Sequence, residues 1–130
     1  MAGSPRLSLR IDLANGARLG PGKAKLLALI EEHGSIRAAG AAMGMSYRRA
    51  WLLADEINRM FTEPSIATQH GGKSGGGAAL TPFGQDLLAC CMRMDEVSRK
   101  ALSVELDWLS AHTVSALAPA KKPTGKDKPD

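Results

Sequence analysis

Within six residues, Ser46, Tyr47, Arg48, Arg49 and Trp51 gather a hydroxyl, a phenol, two guanidinium groups and an indole. Guanidinium groups donate paired hydrogen bonds to guanine edges or bind phosphate, and aromatic rings beside them press on sugars and thymine methyl groups. Arg37, upstream of this group, could reach a phosphate backbone. A second set, Gln69, His70, Lys73 and Ser74, is interspersed with glycines at 71, 72 and 75–77. Those glycines let a backbone approach a duplex closely, and the polar side chains offer phosphate or minor-groove contacts. The chemistry on offer is recognition of a polyanion rather than bond making or breaking.

Catalytic and metal-binding alternatives lack their constellations. His33, His70 and His112 fall at a helix end, a loop tip and a tail, without ligand spacing between them. The Ser, Cys and carboxylate side chains have no evident base partner, so no enzyme, cofactor or metal is expected. Ala67-Thr68-Gln69-His70-Gly71-Gly72-Lys73-Ser74 satisfies a relaxed phosphate-loop pattern, but that mechanism needs a helix to start at the Lys-Ser pair. Gly75-Gly76-Gly77 follows instead, which is hostile to helix initiation. Cys90 and Cys91 are adjacent in an apolar helical pattern. Helical neighbours point about 100° apart, which suits neither a bridge nor a shared ligand, so buried, reduced thiols are expected.

The elements that must hold these residues follow from periodicity and punctuation. Leu7 to Leu13 alternates apolar and polar, the pattern of a half-buried strand. Pro21 opens a helix to about His33, carrying Leu26, Leu27, Leu29 and Ile30, and Gly34 stops it. Ser35 caps a second helix to Met43, Gly44 ends it in a left-handed turn, and Ser46 caps a third from Tyr47 to about Phe61. Gly40 is predicted to sit where these two helices cross, because a glycine in mid-helix costs about 1 kcal/mol unless close approach requires it. Ala39, Ala42, Met43, Met45, Ala50, Ala54 and Ile57 form the expected inner face. This leaves the basic and aromatic residues outward at a helix start, where base-reading side chains sit in helix-turn-helix motifs. The competing reading puts Trp51 in the core and pairs the arginines with Asp55 and Glu56. Ile66-Ala67-Thr68 and Ala78-Ala79-Leu80 flank the glycine loop as a hairpin, or wing; its tip could equally be a solvated loop without a role.

After Thr81-Pro82, the residues Phe83, Leu87, Cys90, Met94, Val97, Ala101, Val104 and Trp108 recur at alternating spacings of four and three. That is a heptad stripe. A helix over about 82–109 would be roughly 40 Å long, more than a small domain covers. Leu88, Cys91, Leu102, Leu106 and Leu109 widen the stripe enough to face both its own core and a partner. Leu87, Cys90, Met94, Val97, Ala101, Val104 and Trp108 are therefore the expected dimerisation residues, with wholly intramolecular packing as the alternative.

At 130 residues and 44% hydrophobic, the chain suits one modest core with tails. Residues 1–6 are expected to be flexible, 7–110 to form the domain and 111–130 to be a disordered Ala/Pro/Lys tail. The formal charge is +4, but the tail's Lys121, Lys122, Lys126 and Lys128, less Asp127 and Asp130, supply half of it. Position rather than total charge must carry the case for a polyanionic partner. No signal-peptide pattern or run of roughly 18 apolar residues occurs, so a soluble, cytoplasmic protein without membrane contact is expected.

The run SIRAAGAAMGMSYRRAW and the hairpin HGGKSGGGAALTPFGQ, at their spacing, resemble the N-terminal domain of ModE, the molybdate-responsive bacterial transcriptional regulators. That domain is similar to the winged helix of LysR-type regulators. The matching positions are Ser46, Tyr47, Arg48, Ala50 and Trp51, then the glycines at 71–77, Leu80 and Thr81, continued by Phe83-Gly84-Gln85; the likeness covers roughly residues 7–110. It implies a mainly α fold with a small β-hairpin, a winged helix-turn-helix plus a long C-terminal dimerisation helix. It further implies a homodimer, with the N-terminal strand and long helix in its interface and the recognition helices on a palindromic double-stranded operator. The expected function is sequence-specific transcriptional regulation, by default repression through promoter occlusion, with a link to molybdenum-related genes. The family's oxyanion-binding modules have no counterpart in these 130 residues, so no small-molecule effector is expected within them. The alternative is an interaction subunit that pairs through the long helix with a full-length regulator and modulates it.

Overall fold

Glycine, serine and proline set the element boundaries. The computed structural model describes residues 5–69 and 76–121. A short antiparallel ladder joins β1 (Ile11–Asp12) to β2 (Arg18–Leu19), with Ile11 opposite Leu19. Pro21 starts α1 (Pro21–His33) at its first turn, where a missing N–H leaves no bond unmade. Gly34 ends α1 at a φ of 75°, its N–H donating to the Ile30 carbonyl. The Ser35 side chain accepts from the Ala38 N–H and caps α2 (Ile36–Ala42); Gly44, at a φ of 73°, makes the left-handed turn that follows. Ser46 accepts from the Arg49 N–H and caps α3 (Tyr47–Met60).

The wing is an antiparallel hairpin of β3 (Ile66–Gln69) and β4 (Gly77–Leu80), in register from Ile66 opposite Leu80 to Gln69 opposite Gly77. Its inner strand is tied to the first helix by a bond from the Ala78 N–H to the Gly34 carbonyl, 2.8 Å. Next come α4 (Pro82–Ala101) and α5 (Ser103–Ala111). The core lies among α1, α2, α3 and the hairpin, with Leu26, Leu27, Ile30 and Ile57 fully buried. This is the expected fold class: mainly α with a small hairpin, in winged helix-turn-helix order.

Three expectations change. The residues from 7 to 13 alternate in burial as predicted, but only Ile11–Asp12 acquire a ladder partner, the unanticipated β2. Ala42 is exposed, because α2 ends there and the chain turns away from the crossing. The long C-terminal helix is interrupted at Leu102, whose φ of −104° and ψ of 13° leave the helical region. Every residue from Arg99 to Glu105 is exposed. Nothing buried therefore supports the helix there, and Ser103 and β-branched Val104 lower its local propensity. The chain divides into two compact units, one from Leu7 to Lys100 and a second that takes in the described residues from Ala101 onward. No helix among the described residues is long and apolar enough to cross a membrane.

Candidate nucleic-acid interface

The crossing of α2 and α3 determines what the third helix can present. A Cβ added at Gly40 would lie 2.6 Å from the Ala50 Cβ, so the helices meet backbone to side chain at that point. Ala50, Ala54 and Ile57 are drawn inward. With 3.6 residues per turn, Arg48, Leu52, Asp55 and Arg59 must then point away from the core, flanked on one side by Tyr47 and Trp51.

The side chains there follow this geometry. Trp51 and Tyr47 are each 45% exposed, so the reading that buried Trp51 in the core is overturned. Asp55 pairs with Arg59 at 3.0 Å and Glu56 pairs with Lys23, whose ammonium also donates to the Arg18 carbonyl. Both acids on the third helix thus have partners other than the arginines at its start. Among the described residues, Arg48 and Arg49 take part in no ion pair. The Arg37 guanidinium lies 4.3 Å over the Tyr47 ring, a cation–π contact that ties the second helix to the first turn of the third. The Ser46 oxygen accepts the capping bond from the Arg49 N–H, leaving its O–H to donate outward. At the start of a helix, unsatisfied N–H groups add a positive field to these charges. The surface can donate hydrogen bonds and pack flat rings, which is the chemistry a phosphate-lined groove accepts.

Asn58, which sequence reasoning passed over, aligns the wing with this helix. Its Oδ1 accepts from the N–H groups of Ser65 and Ile66 at 2.9 and 2.8 Å, and its Nδ2 donates to the Ile66 carbonyl at 2.9 Å. One side chain thereby anchors the first wing strand to α3. Gln69 is exposed at the end of that strand, opposite Gly77. His70, Lys73 and Ser74, with the glycines at 71, 72 and 75, lie outside the described residues, whereas Gly77 of the proposed tip is the first residue of β4. Gly84 was also missed as a packing residue. A Cβ there would come within 2.0 Å of the Ser65 carbonyl oxygen, so the first turn of α4 is pressed against a fully buried Ser65. The only sign in the sequence is a glycine at the start of a strong helical pattern, where alanine would be the better helix former.

The proposed dimerisation stripe is divided. Leu87 is buried in the core of its own chain, and Met94 packs partly against that core. This corrects the assignment of Leu87 to a subunit contact, since Phe83, Gly84 and Leu87 close the base of the domain instead. Cys90, Val97, Ala101, Val104 and Trp108 remain exposed. The exposure of Cys90 also corrects the expectation of two buried thiols: only Cys91 is half-buried. Burial, reinforced by the neighbouring Cys90, pushes the Cys91 thiol above its ordinary value. Among the described residues no group of His, Cys, Asp or Glu is placed to hold a metal ion.

Two helices crossing at a glycine, followed by a hairpin pinned to the second of them, define a winged helix-turn-helix protein. No protein-family model matches the chain. Individual relatives do: the molybdenum-pterin-binding protein MopB of Rhodobacter capsulatus is 41% identical over 88 residues, 68% of this chain and 33% of that protein. MopA of the same organism, also a molybdenum-pterin-binding protein, is 34% identical over 104 residues, 80% of this chain and 39% of its own length. The DNA-binding transcriptional dual regulator ModE of Escherichia coli K12 is 34% identical over 87 residues, 67% of this chain and 33% of that protein. Over the segment it shares with them the chain is similar to ModE and to the MopA and MopB proteins, and it spans about a third of the length of the curated relatives it matches.

Proposed function

We propose that this chain is a sequence-specific double-stranded DNA-binding transcriptional regulator that places the first turns of α3 in the major groove. The observation that carries this reading is the pair Arg48 and Arg49, outside any described ion pair, beside two half-exposed aromatic rings. In this reading Arg48 reads a base edge. Arg49, Ser46 and Tyr47 hold the backbone, Trp51 packs on sugar or base, and Arg37 orients Tyr47. Gln69, with His70, Lys73 and Ser74, brings the wing to phosphate or minor groove. The kinship with a DNA-binding regulator supports the same partner, and repression by promoter occlusion is the mode we assign. A molybdenum connection rests on kinship alone, through relatives whose names describe molybdenum-pterin binding and molybdenum transport.

The exposed residues Val97, Val104 and Trp108 support a homodimer whose two recognition helices address a palindromic operator. Half-sites one turn apart would lie about 34 Å apart. A second reading, pairing with a longer regulator, draws on α5, none of whose residues is buried.

The test is Arg48→Ala, assayed on DNA selected by the wild-type protein from a random pool. A base-reading arginine removed should weaken binding by about 1–3 kcal/mol and relax preference at one position per half-site. Unchanged affinity would remove Arg48 from the interface and the main support for the reading.

A further inference from the structure

Leu52 stands at the solvent apex of α3. It follows Ala50 by two residues and precedes Ala54 by two, both of them buried, so it points roughly opposite to the core. It is 50% exposed. The residues three and four positions away on its own face are Arg48, Arg49, Asp55 and Glu56, all charged. With Asp55 paired to Arg59 and Glu56 to Lys23, the local balance around Leu52 is cationic. With charges above and below it along the helix and Trp51 as its apolar neighbour on one side, Leu52 offers only a small patch for protein docking. A major groove is a polyanionic surface whose apolar feature is the C5-methyl group of thymine.

We infer that Leu52 is a specificity residue that packs on a thymine methyl group in each half-site. The inference rests on the proposed DNA contact of α3 and adds a base preference to it. Four residues of helix separate Leu52 from Arg48, about 6 Å at 1.5 Å per residue. Base pairs are spaced about 3.4 Å along the duplex. The thymine should therefore fall about two base pairs from the base read by Arg48.

Operator DNA selected by the wild-type protein is resynthesised with uracil replacing each thymine in turn, which deletes one methyl group and keeps every hydrogen bond. Wild type should bind about fourfold more weakly at one position per half-site, the effect of uncovering one methyl-sized group. Leu52→Ala, whose folding is checked by circular dichroism, should be indifferent to uracil at that position and keep its sensitivity to changes at the Arg48 base. If the variant retains the wild-type uracil profile, or if the wild type ignores every methyl, Leu52 reads no thymine and the inference falls while DNA binding stands. If the pool yields no enriched sequence, the DNA-binding reading itself fails, and this inference with it.

Discussion

Between Ile36 and Met60 the small and apolar residues that turn inward are closed tightly over one another, whereas between Cys90 and Leu109 most apolar side chains face solvent. In the first region Gly40 meets Ala50 within van der Waals limits, and Ala39, Ala54 and Ile57 are buried. In the second, Val97 is 51% exposed, Val104 74% and Trp108 60%. The first region holds its shape through contacts with its own chain. The second is held locally, by backbone hydrogen bonds and by exposed pairs such as Asp95–Arg99 and Glu96–Lys100, each worth only about 0.3–0.5 kcal/mol. A closely packed helix-turn-helix surface and exposed apolar positions on the C-terminal helices are therefore separate devices, and variants in one should leave the other intact.

The sharpest break of that comparison is predicted at the base of the domain. Gly84→Ala forces a methyl group into the Ser65 carbonyl and should lower stability by about 3 kcal/mol, with Gly40→Ala following at about 2 kcal/mol. Urea titration with an unchanged slope would show the loss; a wild-type midpoint for both would mean that the close approaches are relieved by small shifts. Next in size, Val97→Asp combined with Val104→Asp should leave far-ultraviolet circular dichroism unaltered and shift sedimentation from dimer to monomer. It should also weaken operator binding at least tenfold, because one half-site is then engaged without the other. A wild-type protein that sediments as a monomer would end the dimer proposal.

The smallest effect concerns the thiols. The thiolate is the reactive form, and burial raises the Cys91 thiol, so at neutral pH less of it is ionised. Alkylation should therefore mark the exposed Cys90 before Cys91, and Cys90 should become several-fold slower to react as protein concentration favours the dimer. Equal rates for the two thiols would contradict the packing of Cys91 against the core; a Cys90 rate independent of concentration would remove it from the subunit contact.

The helix-turn-helix was legible because its signals are local. Ser35 and Ser46 satisfy N–H groups within their own helices, Gly34 and Gly44 supply left-handed turns, and Gly40 marks a crossing by being a poor helix residue. β2 was not legible, since Arg18–Leu19 carries no strand pattern and becomes a ladder only because β1 folds back on it. Nor was Asn58, an ordinary polar residue in sequence, which becomes the link between wing and third helix once Ser65 and Ile66 pass beside it. The heptad stripe was legible as periodicity but divided wrongly, because spacing alone does not tell which turns lie over the domain's own core.

The sequence by itself determined where the helices start and stop, where they must touch and which side chains could address a polyanion. These are consequences of backbone conformation and of neighbours within a few residues. The tertiary structure decided which apolar residues are covered. Leu52 and Leu53 are adjacent and identical, yet one stands at the outer apex of the third helix and the other is half-buried against the core. Leu87 and Val97 lie on one stripe, yet only Leu87 is closed over by its own chain. Burial depends on what distant segments place behind a residue, and that contact exists only after the chain has folded.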